Sequence, residues 1–312
     1  MTAPIGFDRD VPEGGYAWWY VDAISDDGTQ ALTLIAFIGS VFSPYYARAI
    51  RRFRGDPTHF AAINLALYRQ SDGIWTMTER RRRHLSRGAD TLAIGPSRLD
   101  WDGSRLTAAL DEIAVPLPRR VRGRIRVMAR RVEDAEYALD PRGGHVWRPI
   151  APCARIEVAF ERPALRWSGH AYLDHNRGDA PLGHDFRAWT WSRAATDDGA
   201  VVFYDAARRD GGETALALRF SRRAPPNVLT APPFALLRPT LWRLRRRARA
   251  DAETTPRLVR TLEDAPFYAR SRLDATLDGL RVEAVHETLD LDRFANPLVQ
   301  QMLKFRMPRA PW

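Results

Sequence analysis

Apolar and polar residues alternate with a period of two over many short stretches of this chain. "ALTLIAF", "RLTAALDEIAV", "RIRVMARRV", "RIEVAF", "VVFYDA", "TALALRF" and "LRVEAVHETLDL" show the pattern to differing degrees. Side chains of an extended chain point alternately to opposite faces, so this spacing predicts half-buried antiparallel strands. Turn-forming clusters such as "SDDG", "WDG", "DPRGG", "TDDG" and "RDGG" lie between them. Many short strands divided by Gly/Asp turns predict a mainly β architecture, a barrel or a sandwich. Helical spacing is scarce and is clearest at "LWRLRRRARADAE" and around "RFANPLVQQMLKF". No glycine-rich phosphate loop follows a strand, so a doubly wound nucleotide-binding fold has little support.

Residues 28–47, "GTQALTLIAFIGSVFSPYYA", carry no charge, but Gly39, Ser40, Ser43 and Pro44 interrupt them. Only Ala31 to Ile38 is continuously near-apolar, too short for a spanning helix. A buried strand followed by a turn is expected instead. The 312 residues are 45% hydrophobic and 10% aromatic, enough for a sizeable core in two ordinary domains or one large one. The opening "MTAPIGFDRDVPEGG" lacks a basic start followed by an apolar run, so no signal peptide is expected. A single cysteine, Cys153, excludes an internal disulfide and a thiolate metal cluster and fits a reducing compartment, the cytoplasm.

Lys+Arg number 48 against 38 Asp+Glu, a formal charge of +10, and Lys304 is the only lysine. An arginine excess points to a phosphate-rich partner, nucleic acid or an anionic membrane surface. Arginines cluster at 79–84, 118–131 and 241–249. Where they alternate with apolar residues they also suit the wet face of a strand. The last cluster, "LWRLRRRAR", follows "VLTAPPFALLRPTLW". Aromatic and apolar residues beside dense arginine suit an interfacial anchor, with Trp242, Arg245, Arg246 and Arg247 as its contacts. No nucleic-acid reader motif accompanies the charge, so nucleic acid is not the expected partner.

The stretch "GHAYLDHNRGD" (169–179) raises the question of chemistry. Tyr172 and Asp174, two apart on extended chain, share a face; so do His145 and Trp147 in "HVW". An aspartate among aromatic side chains tends to stay protonated, and ring faces stabilise a neighbouring cation. Equally, a Tyr-x-Asp before a turn is ordinarily a strand end with a solvated aspartate, and the residues alone favour that reading. His170, His175 and His184 could gather around a metal only through loop geometry. A G-x-S-x-G elbow is missing and Cys153 has no partner motif, which leaves nucleophilic catalysis without support. "WWYVDAISDDG" places Tyr20 and Asp22 as "HAYLDHNRGD" places Tyr172 and Asp174. This echo agrees with two similar β domains, 1–150 and 151–312, joined within "EDAEYALDPRGGHVWRPIAPC".

A set of longer stretches carries a family resemblance: "VPEGGYAWWYVDAISDDG", "LIAFIGSVFSPYYARA", "NLALY" with "WTMTER", "YLDHNRGDAPL" with "WTWSRA", "FYDAARRDGG", "RTLEDAPFYARS" and "VHETLDLDRFANPLVQQMLKFRMPR". From about Val11 to the C-terminus the chain resembles the bacterial carotenoid 1,2-hydratases. That resemblance implies two lipocalin-like (calycin-type) antiparallel β-barrel domains with few short helices. It also implies a hydratase that adds water across the terminal double bond of acyclic carotenoids such as neurosporene and lycopene, without a cofactor. The family's His-x-Trp and Tyr-x-Asp pairs are matched by His145, Trp147, Tyr172 and Asp174, with Asp174 as proton donor. The expected setting is the cytoplasmic face of the inner, photosynthetic membrane. A non-catalytic polyene carrier and a related β-barrel cyclase are the alternatives.

Overall fold

Each period-two stretch falls wholly or for most of its length in a strand of the computed structural model, and the run from Ala31 forms the buried strand Ala31–Ile38. The structure describes residues 4–70 and 72–310; Met1–Ala3, Ser71, Pro311 and Trp312, which belong to the expected domains 1–150 and 151–312, lie outside the described residues. Of the two helical expectations, the second is met by the helix Pro297–Arg306. The first is not. Residues 241–242 form a turn, 243–245 are irregular, and Arg246–Arg249 are a strand paired with Phe234–Leu237. Leu244, Arg246, Ala248 and Ala250 are buried in alternation, so tertiary burial with period two overrides the helical propensity of the arginine run.

The described residues form two compact units, one of residues up to Pro181 with those from Gln301 onward, the other Leu182–Gln300. The first unit is built on a twelve-stranded antiparallel sheet. In spatial order its strands are Gly73–Arg80, Ala61–Tyr68, Ala31–Ile38, Tyr16–Ser25, Leu165–Gly178, His145–Arg162, Arg120–Ala129, Arg105–Ile113, Ser97–Trp101, Thr91–Ile94 and Leu85–Arg87, with Tyr137–Ala138 paired on His145–Arg162. Its far parts meet: Thr76 bridges Ala114, and the Val115 N–H donates to the Trp75 carbonyl at 2.9 Å. Arg80 adds two bonds to the buried Glu112 carboxylate, at 2.7 and 3.2 Å. The sheet is thus a near-closed barrel. A continuous apolar core of Trp19, Val21, Leu34, Leu65, Ile125, Val127, Ile156 and Leu173, among others, packs on one of its faces.

The second unit carries a seven-stranded antiparallel sheet and the two-stranded Phe234–Leu237/Arg246–Arg249 ribbon. Neither closes into a barrel. The expectation of two barrels is therefore met by one near-closed barrel and one unit of open sheets.

Position 150, the expected domain boundary, lies inside the strand His145–Arg162. Pro149 and Pro152 lack the N–H that a ladder needs. Accordingly, the pairing of this strand with Leu165–Gly178 shifts register between Arg148 and Ala151 and again between Ala151 and Ala154. The stretch that suggests a linker is a turn at 139–144 followed by the start of a bulged strand. The Tyr-x-Asp echo is likewise not a domain repeat, because both copies lie in the first unit on neighbouring antiparallel strands.

Arginines at 120, 122, 124 and 126 occupy the wet face of a strand, each exposed or nearly so, while Val121, Ile125 and Val127 are buried. Arg120 and Arg126 reach across to Asp111 and Glu157. These pairs neutralise part of the arginine on a solvated face.

Candidate active site

Strand pairing turns separate sequence positions into a ladder of side chains. Tyr16–Ser25 and His145–Arg162 flank Leu165–Gly178, with Asp22 opposite Tyr172, Tyr20 opposite Asp174, Trp18 and Trp147 opposite Asn176, and Tyr16 and His145 opposite Gly178. Paired residues share a face, so ten residues form four successive rungs on one side of the sheet. Ala17, Trp19, Val21, Ala23, Ala171 and Leu173 alternate with them and enter the apolar core on the other side. All the polar members are buried: Asp22, Tyr172 and Trp147 at 0% exposure, Asn176 at 2% and Asp174 at 3%.

Asp174 is the hub. Its Oδ2 accepts the Tyr172 hydroxyl at 2.8 Å and the Trp147 indole N–H at 2.9 Å. Oδ1 accepts the Asn176 side-chain amide at 3.1 Å. The same indole N–H lies 3.1 Å from the Tyr172 oxygen, which ties the three groups together. Trp147 leans from its own rung to reach Asp174, immediately beside the register shift that follows Arg148. Bulges re-aim side chains in this way. Aromatic walls complete the surroundings: Tyr20 meets Tyr172 edge-on at 6.2 Å and Tyr137 lies 5.4 Å from Trp147.

His145 sits two rungs from Asp174, about 14 Å along the strand at roughly 3.4 Å per residue. Its Nδ1 lies 2.9 Å from the Tyr16 hydroxyl, and its backbone N–H donates to Asp140 at 2.7 Å. Gly178 lies between the two rings, and a Cβ there would press into both. Of the four residues expected, three therefore touch one another and His145 extends the same face through Tyr16.

The remaining residues of the quoted stretch separate by face. His175 points to the core side, stacks on Trp19 at 4.8 Å, and burial pushes its imidazole well below the usual value. His170 is exposed. Asp179 lies beyond the strand end, its N–H bonded to the Gly144 carbonyl at 2.9 Å. Asn176, Tyr16 and Asp22 were missed from sequence. Spacing of two from Asp174 could have found Asn176; the others needed the register.

Among the proposed membrane contacts, Arg246 is buried and cannot touch a bilayer: its guanidinium donates to the Arg238 carbonyl at 2.6 Å and to Ser271 at 2.8 Å. Arg247 stacks over Phe234 at 3.9 Å. Trp242 and Arg245 are exposed, together with Leu236, Leu241 and Arg243. Among the described residues no helix is long and apolar enough to cross a membrane.

Comparison with known proteins adds the following. A family model described as carotenoid hydratase CrtC matches residues 34–312. An acyclic carotenoid 1,2-hydratase of Thiocapsa roseopersicina is 52% identical over 305 residues, covering 97% of this chain and 75% of that one. One from Rubrivivax gelatinosus is 49% identical over 306 residues, with the same coverages of 97% and 75%. A crystal structure of a candidate AttH from Nitrosomonas europaea superposes with a TM-score of 0.60 at 13% identity, covering 88% of this chain and 92% of that one. That likeness concerns the fold alone.

Proposed function

The chain belongs to the carotenoid hydratase CrtC family, and from that premise we propose that it hydrates acyclic carotenoids at the terminal C1–C2 double bond, with Asp174 as the proton donor. The observation that carries the site assignment is the buried Asp174 carboxyl bonded to Trp147 and Tyr172. An unactivated alkene is a weak base, so the acid must be neutral and close. Burial among aromatic side chains favours the neutral carboxyl. Once the proton has moved to C2, the N–H and O–H donors around Asp174 hold the carboxylate left behind.

Protonation at C2 leaves a tertiary cation at C1. The rings of Trp147 and Tyr172 present electron-rich faces beside it, and their exclusion of bulk water keeps the cation from uncontrolled capture or elimination. Water forms the C1–O bond and loses a proton. His145, joined to Tyr16, orders water further along the face. No step calls for a cofactor or metal, and the reaction is that of a hydro-lyase run toward addition.

The substrate resides in lipid, and we place the protein peripherally on the cytoplasmic face of the membrane that holds it. Leu236, Leu241 and Trp242 supply exposed apolar contacts and Arg243 and Arg245 adjacent charge. Such a patch suits an anionic leaflet. The test is incubation of the purified protein with detergent-dispersed neurosporene or lycopene in ¹⁸O-labelled water. A labelled tertiary alcohol is expected; bound but unchanged polyene would make the protein a carrier, and an isomer of equal mass a cyclase.

A further inference from the structure

Hydration releases a proton from the attacking water, and the Asp174 carboxylate left after protonation of C2 is already engaged by Trp147, Tyr172 and Asn176. We propose that Asp22 is the general base that takes this proton, a role that rests on the hydration reading above. Asp22 is a fully buried carboxyl on the same face as Asp174, one rung away. Directly across from it on one side stands Tyr172 and on the other Thr33, of the strand Ala31–Ile38.

Spacing suits the task. Diagonal neighbours on adjacent strands have Cβ atoms about 7 Å apart. Enzymes that place a water between an acid and a base carboxyl hold the two about 6.5–9.5 Å apart. His145, two rungs from Asp174 and engaged with Tyr16, is more remote. Thr33 adds an independent sign of a water site: its hydroxyl is buried and makes no hydrogen bond within the described protein. A buried hydroxyl of this kind calls for a partner, and a water held between Thr33 and Asp22 supplies one.

The cycle balances. Asp174 gives a proton to C2, the π electrons forming the C2–H bond. Water attacks C1, and the electrons of one of its O–H bonds return to oxygen as the proton passes to Asp22. Tyr172 stands opposite Asp22 and its hydroxyl donates to Asp174 at 2.8 Å. It therefore relays a proton from Asp22 back to Asp174, and no proton or electron is gained overall.

An anionic nucleophile needs no base, which provides the test. Asp22→Ala, assayed on an acyclic carotenoid, should lose hydration by 10²- to 10⁴-fold, the usual contribution of general-base catalysis. Added azide should then yield a tertiary azide adduct from Asp22→Ala and none from Asp174→Ala. If Asp22→Ala does not fold, the isosteric Asp22→Asn carries the same comparison. Near wild-type hydration by either folded Asp22 variant, or no azide adduct from a folded Asp22 variant that still binds polyene, would overturn the assignment while the wild-type activity stands. A wild-type protein that hydrates no acyclic carotenoid would instead remove the parent reading and this one with it.

Discussion

Trp147 donates its indole N–H to Asp174 across 27 residues of sequence, at 2.9 Å, and the same carboxylate oxygen accepts Tyr172. The contact joins a strand interrupted by prolines to its neighbour. It also couples the carboxyl to its aromatic neighbours, so substitutions among the three should be non-additive.

Asp174→Asn keeps the shape and removes the transferable proton. Its hydration rate should fall at least 10²-fold, in the range of general-acid effects, with polyene binding retained. Tyr172→Phe and Trp147→Phe remove one donor each and should cost about tenfold to a hundredfold in kcat, as loss of a charge-assisted hydrogen bond of about 1.5–3 kcal/mol does. Initial rates against carotenoid concentration check all three. Full activity in Asp174→Asn would discard the proton-donor role.

Gly178→Ala should disturb Tyr16 and His145 without altering any polar group. The added Cβ has no room between the two rings. A loss of about 1–3 kcal/mol from overpacking is expected, read as a lower urea midpoint. Activity should drop with it, and Tyr16→Phe in the Gly178→Ala background should add little if the damage runs through that pair. An unchanged midpoint would mean that the Tyr16–His145 approach is looser than the geometry describes.

Acid should destabilise the fold from just below neutrality. His286, bonded to Ser192 and Thr288, is pushed down to about 3 by burial, and His175 is lowered by burial against Trp19. Both folded values lie below the unfolded one, so the unfolded chain binds the extra protons. Stability is therefore full above about pH 6.5 and falls as pH drops, for His286 until about pH 3. Each histidine contributes a slope of up to about 1.4 kcal/mol per pH unit. His175→Phe should flatten the urea-midpoint profile between pH 7 and 5 by one such slope; an identical profile would refute the linkage.

Replacing Arg243 and Arg245 by serine should weaken binding to anionic vesicles. At about 1 kcal/mol per basic residue near such a surface, the pair accounts for roughly 30-fold in partitioning. Binding should also fall with salt, and Leu241→Ser with Trp242→Ser should lower it at every salt concentration. Co-sedimentation measures both. Equal binding by wild type and the double arginine variant would remove the patch from the membrane.

How much of this was legible beforehand depends on the range of each signal. Period-two alternation is local, so strands such as Gly199–Arg208 and Leu280–Asp290 could be read directly. Local propensity misled where packing outvoted it: the arginine run at 241–249 looked helical, yet Arg246 and Ala248 are buried on one face of a ribbon. Pro149 and Pro152 looked like a linker because a bulged strand and a turn share their composition. The face shared by Tyr172 and Asp174 followed from spacing, and family resemblance supplied His145 and Trp147. Asp22 and Tyr16 stayed hidden because their placement depends on a strand register across about 150 residues, which no local pattern encodes.

Alternation along Tyr16–Ser25 and Leu165–Gly178 sends even-numbered side chains to the polar ladder and odd-numbered ones to the core. Parity therefore divides labour within a single strand. Substitutions at Trp18 or Tyr20 thus alter the polar face while the odd positions that fill the apolar core stay in place.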